Sequence, residues 1–321
     1  MATHSYHVPV LRDQTLGQLD LAPGSVILDG TLGGGGHAEA ILEQTAPDGL
    51  LIGLDLDADA LATAGARLAP FGERVHLVQA SFRRMDDVVA DLRTQRHELE
   101  IDGVVLDLGV SSYQLDEASR GFRFGDGESA PLDMRMDSGS GRATAATLLA
   151  SLSAEDLEGI FSRYGQLPGS RRLARAIVER RERDPFETAT DLLSLIREIG
   201  IGRGRKHNPA TLVFQALRIA VNDELGALEE GLAAAIEILR PGGRIAVIAY
   251  HSLEDRIVKH TFRDAARGCV CPSDFPVCRC GKKPSLRVIT RRPIAPDDAE
   301  IASNPRARSA RLRSAERLEA A

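Results

Sequence analysis

A run of four glycines, residues 33–36, limits what this chain can fold into. The run follows a short apolar segment, Val26–Asp29, and leads into a helical pattern that starts at Ala38. In a strand–turn–helix unit of this kind, glycines let backbone N–H groups approach a ligand that a Cβ would block. The pattern predicts a nucleotide-type cofactor site in an α/β fold.

A second apolar segment, Leu50–Asp55, ends in an acid 20 residues after Gly35. An acid at the end of the second strand is where such folds hold a nucleotide ribose. The spacing Gly33-x-Gly35-x-x-Ala38 also fits the dinucleotide fingerprint, so these residues alone leave a nicotinamide cofactor and a methyl donor open. A glycine-rich turn without a ligand is the third interpretation.

Apolar segments alternate with helical patterns at the spacing of a parallel sheet. The predicted strands are Val26–Asp29, Leu50–Asp55, Val75–Gln79, 103–108, 244–250 and 286–290. Helices are expected to begin near Gly36, Asp57 and Phe82. The predicted fold class is therefore α/β, with a Rossmann-like sheet.

The interval between the fourth and fifth predicted strands is too long for one crossover connection. It opens with loop-like sequence and continues with helical patterns at 156–164, 170–183, 188–199 and 209–221. We expect an all-helical subdomain at 114–210, inserted between two parts of the sheet domain at 1–113 and 211–292. The tail, 293–321, is expected to be irregular and basic.

The composition is that of a soluble globular protein, with 43% hydrophobic and 27% charged residues. No apolar run approaches the roughly 20 residues that span a bilayer, and the N-terminus shows no signal-peptide core, so a cytoplasmic protein is expected. The net charge is −6, but basic residues cluster at 171–183, 203–206, 282–292 and 304–317. Such clusters are often solvated helix faces, yet several of them beside a cofactor site indicate a polyanionic partner.

The four cysteines fall within one short stretch, as Cys269-x-Cys271 and Cys278-x-Cys280. Four thiolates can bind zinc tetrahedrally and close a loop of little apolar content, although Cys-x-x-Cys is the more usual zinc spacing. A redox-sensitive pair and ordinary thiols in a reducing cytosol are the alternatives. The sequence alone assigns no metal.

Asp107 follows the apolar run of the fourth predicted strand, at the edge of an open α/β sheet where ligands bind. A carboxylate there can accept a proton or a hydrogen bond from a substrate amine, and the structural alternative is a helix cap or a partner for an arginine. Gln114, on the same loop, is expected to reach the cofactor or substrate. Phe82, after the third strand, either lies against a purine or packs in the core. His37 is not expected to be a general base.

The fifth predicted strand is followed by a cluster of titratable groups that includes His251, Glu254 and Arg256. Their position at the edge of the cleft suggests a role in function. A capping box from Ser252 to Asp255 is the structural explanation of part of the cluster. Both interpretations place the start of a helix at this point.

Methyl transfer explains the pattern better than hydride transfer does. A dehydrogenase is expected to carry a substrate domain after its cofactor half, whereas this insertion splits the sheet domain itself. S-adenosylmethionine has no pyrophosphate, so its glycine turn needs only a close backbone approach. The rival functions are a nicotinamide dehydrogenase and an RNA-binding assembly factor without catalytic activity.

Several longer motifs support this choice. They are Asp-Gly-Thr-Leu-Gly-Gly-Gly-Gly-His at 29–37, Asp-Leu-Gly-Val-Ser-Ser-x-Gln-Leu-Asp at 107–116, Arg-Gly-Phe-x-Phe at 120–124, Pro-Leu-Asp-Met-Arg-Met-Asp at 131–137, Tyr-His-Ser-Leu-Glu-Asp-Arg at 250–256 and Asn-Pro-Arg-Ala-Arg-Ser at 304–309. Together they resemble the ribosomal RNA small subunit methyltransferase H family. The likeness covers nearly the whole chain.

The resemblance implies an enzyme that methylates the exocyclic N4 of a cytosine in the decoding region, at the P site, of 16S ribosomal RNA. It implies a methyltransferase sheet with an inserted helical domain, S-adenosylmethionine as the donor, and the small ribosomal subunit as the setting of the substrate. The residues that it assigns to the donor site are Gly35, Gly36, His37, Asp55, Phe82, Asp107 and Gln114. Among these, Asp55 is expected to hold the ribose.

The Asp-Pro-Pro-Tyr-type motif of many amino methyltransferases is missing here, and the sequence that begins at Asp107 stands near its place. We therefore expect Asp107, helped by Ser111 or Ser112, to accept hydrogen bonds from the target amino group during direct methyl transfer. The cytosine has to leave its stack to reach such a site.

The segment after residue 119 combines arginine with aromatic residues. Arg120, Phe122 and Phe124 are expected to clamp RNA by charge and stacking, unless the phenylalanines pack the insertion onto the sheet instead. His251 and Arg256 are further candidates for contact with RNA.

Overall fold

The structure, a computed structural model, describes residues 9–109, 120–122, 130–137, 139, 141–201, 208–271, 277 and 279–319. The chain forms two units. One contains the sheet and consists of residues 1–109 and 225–321, and the other consists of residues 110–224.

Within the described ranges, seven strands form one sheet in the order β3-β2-β1-β4-β5-β7-β6. The strands are β1 Val26–Asp29, β2 Leu50–Asp55, β3 Val75–Gln79, β4 Ile101–Asp107, β5 Leu239–Ala249, β6 Leu286–Val288 and β7 Arg311–Arg317. The first five run parallel, and β7 runs antiparallel to both of its neighbours. The predicted Rossmann-like class is confirmed. The strand order reverses direction between β1 and β4, so the ligand crevice of such a sheet lies at their carboxyl ends.

The α-helices surround this sheet or build the second unit. They are α1 Arg12–Leu19, α2 Gly36–Gln44, α3 Ala58–Leu68, α4 Met85–Gln95, α5 Ala145–Ser151, α6 Ala154–Arg163, α7 Ser170–Arg181, α8 Ala189–Ile199, α9 Pro209–Asn222, α10 Glu224–Ile238, α11 Ser252–Ala265 and α12 Asp298–Ser303. Short 3₁₀ helices occupy Ala69–Arg74, Phe82–Arg84 and Pro305–Ser309. No helix of the described part has the length and apolar run needed to cross a bilayer.

Both faces of the sheet are buried, because successive strand residues alternate between two apolar clusters. Leu28 and Val104 belong to the cluster that α4, α10 and α11 cover, whereas Ile27 and Val105 belong to the cluster that α1, α2 and α3 cover. This arrangement explains why the strands read as continuous apolar runs in the sequence.

The second unit has an apolar core of its own, built from α5 to α9. Phe161, Leu192 and Phe214 are among its buried residues. The predicted boundary at residue 210 comes too early, because α9 packs its apolar face into this core and the unit extends to Glu224. A helical pattern predicts a helix, but it does not show which of two cores the helix joins.

The prediction of an irregular tail at 293–321 is wrong. The tail contains α12, a 3₁₀ turn and β7, which pairs with both β5 and β6. The strand was hidden in the sequence because a buried position of β7 is occupied by Arg313, whose guanidinium donates to Asp255 at 2.7 and 3.0 Å. An ion pair in place of an apolar side chain removes the usual strand pattern.

The Pro-Gly-Gly segment at 241–243, just before the predicted start of the fifth strand at residue 244, is a bulge inside β5. Ile101 pairs with Leu239 and Gly103 pairs with Arg244, so the segment is the extra length on the β5 side. The bulge leaves the rest of β5 in parallel register with β4 up to Asp107.

Candidate active site

Three carboxylates lie at the carboxyl ends of neighbouring strands. Asp29 ends β1, Asp55 ends β2 and Asp107 ends β4, and β1 lies between the other two strands. Asp29 is paired with Gly53 of β2 and Val105 of β4, so Asp55 and Asp107 each lie two residues beyond its partners at the same edge of the sheet. The structure thus brings two predicted site residues together and adds a third, Asp29.

Asp55 joins the glycine turn to the start of α3. Its Oδ2 accepts a 2.8 Å hydrogen bond from the Gly33 N–H, and its Oδ1 accepts one of 2.9 Å from the Asp57 N–H. Burial raises the pKa of Asp55, although the two amides oppose that rise. Each carboxylate oxygen has a second lone pair, so both can still accept a ligand hydroxyl.

The glycine turn is shaped by protein packing as well as by space for a ligand. Gly35 has a φ of +78°, and a Cβ there would lie 3.3 Å from the Cβ of Ala64 on α3. A Cβ on Gly36 would lie 3.2 Å from the ring of Pro9, whereas one on Gly34 would meet nothing within 4 Å. The contact of Gly35 and Gly36 with a donor remains a prediction, since the structure explains both glycines by packing.

His37 lies in the first turn of α2 and is only 6% exposed. Its Nε2 is 3.6 Å from Asp107 Oδ2. Within the described part of the chain, neither ring nitrogen has a hydrogen-bond partner. A buried imidazole without partners is costly, so the site fits a ligand that supplies polar groups.

Asp107 is held by two hydrogen bonds at the end of β4. Its Oδ1 accepts a 2.9 Å bond from the Tyr250 hydroxyl, and its backbone N–H donates a 2.6 Å bond to Thr31 Oγ1. Among the described residues, the Asp107 carboxylate neither caps a helix nor pairs with an arginine, which were the two structural explanations of this residue.

Tyr250 is the donor that orients Asp107. Burial, followed by the charge and hydrogen bond of Asp107, raises the pKa of the phenol well above 10, so Tyr250 keeps its proton. A Cβ on Gly109 would lie 3.0 Å from the tyrosine ring, which shows how closely the ring packs on the backbone after β4. Tyr250 was not among the predicted site residues, although its position after the apolar run of β5 was a usable signal.

Asp29 is the most buried of the three acids, with 1% of its surface exposed. Its Oδ1 accepts a 3.1 Å hydrogen bond from the Thr31 N–H. Burial raises its pKa to about 6, against the lowering effects of His37 and the Thr31 amide. Like Tyr250, it was missed, and the signal was the same: a polar residue at the end of an apolar strand.

Phe82 begins a 3₁₀ helix and packs against the core cluster on the α10 side. A Cβ on Gly231 of α10 would overlap its ring, and a Cβ on Gly30 would lie 2.9 Å from its Cβ. The core-packing interpretation of Phe82 is therefore confirmed. Its contact with a purine stays a prediction.

The profile of the MraW methylase family matches residues 4–318 of this chain. The chain belongs to that family. A relative in Syntrophus aciditrophicus, named ribosomal RNA small subunit methyltransferase H, is 48% identical over 317 residues, covering 98% of both chains. A relative of the same name in Heliobacterium modesticaldum is 51% identical over 315 residues, covering 98% of this chain and 99% of the relative. A solved structure, described as a putative rRNA-methylase from Clostridium thermocellum, aligns with a TM-score of 0.44 at 12% identity, covering 96% of this chain and 97% of that one.

In this member of the MraW methylase family, the first turn of α11 holds the backbone of Tyr250, the residue that contacts Asp107. His251 is the N-cap and forms a capping box with Glu254, so the predicted box from Ser252 to Asp255 is wrong. Glu254 Oε2 accepts from the backbone N–H of Tyr250 at 2.8 Å and of His251 at 3.2 Å. The buried glutamate thereby fixes the backbone that carries the Tyr250 side chain.

In the described part of this methylase, Arg120 and Phe122 of the predicted RNA clamp make contacts within the protein. Arg120 donates to the backbone carbonyls of Arg135 at 3.2 Å and Met136 at 2.8 Å. Phe122 is only 8% exposed, with the Arg120 guanidinium 6.0 Å from its ring centre. Its ring is therefore buried in this structure and is not presented for stacking.

Four predicted site residues of the methylase lie outside the described residues. They are Ser111, Ser112, Gln114 and Phe124. Arg256 lies on α11 with its side chain exposed. Its contact with RNA remains a prediction.

Proposed function

We propose that this chain transfers a methyl group from S-adenosylmethionine to the exocyclic N4 of a cytosine in 16S ribosomal RNA, in the decoding region at the P site. The observation that carries the proposal is the Asp107 carboxylate, held by Tyr250 and facing His37 at the carboxyl edge of the sheet. Family membership and the names of the relatives support a small-subunit ribosomal RNA as the substrate. The choice of the cytosine amine follows from the motif resemblance together with this carboxylate.

The residues at the carboxyl edge fit the methyl donor. The buried His37 nitrogens lack partners among the described residues, and Asp55 retains acceptor capacity for the ribose hydroxyls. When bound, S-adenosylmethionine supplies an electrophilic methyl group on a sulfonium centre. The residues proposed to bind it are Gly35, Gly36, His37, Asp55, Phe82, Asp107 and Gln114.

The two oxygens of Asp107 have different roles in this proposal. Oδ1 already accepts a hydrogen bond from the Tyr250 hydroxyl, so Oδ2, with both of its lone pairs available, is the oxygen that we assign to the target amino group. The lone pair of a cytosine amine is delocalised into the ring, and an acceptor for the amine hydrogens makes that lone pair more available. A carboxylate within hydrogen-bond reach supplies this acceptor and can take the proton that leaves after transfer.

His37 Nε2, 3.6 Å from Asp107 Oδ2, is a second polar group beside that oxygen. It can donate a hydrogen bond to the donor molecule or to the substrate. Ser111 and Ser112 follow on the same loop and are proposed to assist Asp107 at the amino group.

The net charge of −6 does not by itself favour binding to RNA, but the distribution of the basic residues along the chain does. Arg313 pairs with Asp255, and Arg287 pairs with Glu316. Other basic side chains are exposed in the segments that follow the cysteines and α12. They are Lys282, Lys283, Arg291, Arg292, Arg306 and Arg308. Basic side chains of this kind bind phosphates without reading sequence, and a ribosomal substrate means that we expect the protein to act in the cytoplasm.

The test is to incubate the purified protein with labelled S-adenosylmethionine and small ribosomal subunits that lack the modification. Nuclease digestion and mass spectrometry then identify the modified nucleoside. We expect N4-methylcytidine at a single site in the 16S RNA. Binding of the subunit without transfer, under conditions where the donor binds tightly, would instead support an assembly factor. Transfer to another atom would contradict the proposed acceptor.

A further inference from the structure

Three cysteines of the loop between α11 and β6 converge although they are separated in sequence. The Sγ atoms of Cys269, Cys271 and Cys280 all lie within 4.8 Å of one another. Two of them, Cys269 and Cys280, are 3.8 Å apart. In a tetrahedral zinc site with Zn–S bonds of about 2.3 Å, neighbouring sulfur atoms are about 3.8 Å apart, so the spacing matches a shared metal.

Backbone amides point at the same three sulfur atoms. The Cys271 N–H donates to Cys269 Sγ, the Val270 N–H donates to Cys280 Sγ and the Arg279 N–H donates to Cys271 Sγ, each at 3.4 Å. Amide hydrogen bonds stabilise the negative charge of a thiolate, which is the form that binds a metal. A loop that folds its amides around three sulfurs is therefore prepared for thiolate ligands.

We propose that this cluster binds a zinc ion through Cys269, Cys271 and Cys280. Zinc is the metal expected for a tetrahedral, sulfur-rich site without redox chemistry. The fourth ligand comes from outside these three side chains. Cys278 lies outside the described residues, so the site is argued from the three thiols alone.

A disulfide explains the arrangement less well. The 3.8 Å between Cys269 Sγ and Cys280 Sγ is far beyond the roughly 2.05 Å of an S–S bond, and a disulfide accounts for two sulfurs where three converge. Persistent disulfides are also uncommon in a reducing cytosol. A shared metal accounts for all three.

The zinc ion has a structural task. The loop offers little apolar surface for a core: Val270 is 50% exposed and Val277 is 68% exposed. A metal therefore replaces a hydrophobic core as the element that orders the loop. The thiolates lie in the same loop as Arg279 and Lys282, and the Lys282 ammonium donates to the carbonyl of Asp264 at 2.8 Å. The zinc thus fixes a basic loop at the end of α11.

The experiment uses the full-length protein, purified without chelators and without a metal-affinity tag. Elemental analysis is expected to give about one zinc per chain, and zinc X-ray absorption to show three or four sulfur ligands at about 2.3 Å. Exchange for Co²⁺ is expected to produce the near-ultraviolet thiolate-to-cobalt absorption band. The variant Cys269→Ser/Cys271→Ser/Cys280→Ser is expected to lose the metal, whereas His260→Ala, an exposed histidine on α11, is expected to keep it.

A native protein that contains no zinc and binds no added Zn²⁺ or Co²⁺ would overturn the proposal. So would an absorption spectrum with fewer than three sulfur ligands, or zinc retained by the triple serine variant. Because the metal analysis and the absorption spectra are made on the native chain, the outcome does not depend on whether the triple variant folds.

Discussion

The Tyr250 hydroxyl donates a 2.9 Å hydrogen bond to Asp107 Oδ1, which joins the ends of two neighbouring strands, β5 and β4. The backbone of Tyr250 is held in turn by Glu254, whose Oε2 accepts a 2.8 Å hydrogen bond from the Tyr250 N–H. The orientation of the proposed acceptor is therefore set by a chain of contacts that starts in the first turn of α11.

Replacing Tyr250 by phenylalanine is expected to slow methyl transfer by about tenfold to a hundredfold. The change removes a hydrogen bond to a charged group, worth about 1.5–3 kcal/mol, and leaves Asp107 free to rotate. The measurement is single-turnover transfer to small ribosomal subunits, with donor affinity measured in parallel. Tyr164→Phe, which removes the hydroxyl of a partly buried tyrosine in the helical unit, is the matched control. Equal rates for Tyr250→Phe and the control would show that this hydrogen bond does not serve the reaction.

Replacing Asp107 by alanine is expected to reduce transfer by about a hundredfold or more, the scale of a lost acid–base group. The matched control is Asp102→Ala on the same strand, at its opposite end. Asp102 accepts from the Val26 N–H at 2.7 Å and pairs with Arg240, so its loss is expected to lower stability without changing turnover per folded molecule. Near-normal turnover of Asp107→Ala would remove this carboxylate from the mechanism.

Asp29 is expected to make the stability of the protein depend on pH. Its pKa is raised from 3.8 to about 6 in the folded protein, mainly by burial, so the folded state binds this proton more tightly than the unfolded chain does. The stabilisation from that proton is complete below pH about 4 and is lost as the pH rises through about 6. The loss amounts to about 3 kcal/mol, from two pKa units at 1.36 kcal/mol each.

The variant Asp29→Asn tests this expectation, because an amide oxygen can still accept the Thr31 N–H. Urea unfolding of the ligand-free protein is measured between pH 4 and 8. The unfolding free energy of the variant relative to wild type is expected to rise between pH 4 and 6 and to level off above 7. Asp91→Asn makes the same charge change at an exposed position of α4. A step of equal size in that control would mean that Asp29 is not the group responsible.

The central part of the sheet could be predicted from the sequence for a physical reason. Strands β1, β2 and β3 have the predicted bounds. The strands β1 and β2 are buried on both faces and read as apolar runs that end abruptly at polar residues, whereas β3 is a partly exposed edge strand. The same reading located Asp55 and Asp107 at the carboxyl edge. The position of a residue after a strand is local information, and the sequence contains it.

The features that the sequence did not predict depend on contacts between distant segments of the chain. The register of β7 against β5, with Leu312 opposite Ile248, is set by a contact that no local pattern encodes. The hydrogen bond between Tyr250 and Asp107 requires β4 and β5 to be neighbours, which follows from the strand order rather than from either segment. The buried state of Phe122 likewise follows from its surroundings in three dimensions.

Removing Asp255 is expected to destabilise the protein by about 3 kcal/mol, because it leaves the Arg313 guanidinium buried without its carboxylate. The side chain of Arg313 is 8% exposed, in the middle of β7. Thermal and urea unfolding of Asp255→Ala give the measurement. Asp264→Ala on the same helix breaks an exposed pair with Arg263 and is expected to cost at most about 1 kcal/mol. Similar losses in the two variants would show that the buried pair has no special role in fastening β7.

The last prediction separates two roles of Phe82, packing and contact with the donor. Gly231→Ala is expected to gain about 1 kcal/mol of helix propensity, but its Cβ would overlap the Phe82 ring, so the ring has to move. If the ring contacts the adenine of the donor, the affinity for S-adenosylmethionine falls about fivefold, the equivalent of about 1 kcal/mol of aromatic contact. Gly17→Ala on α1 adds a methyl group that meets nothing within 4 Å and is expected to leave donor affinity unchanged. Isothermal titration of both variants decides the question, because a displaced ring with unchanged donor affinity would leave Phe82 with a packing role alone.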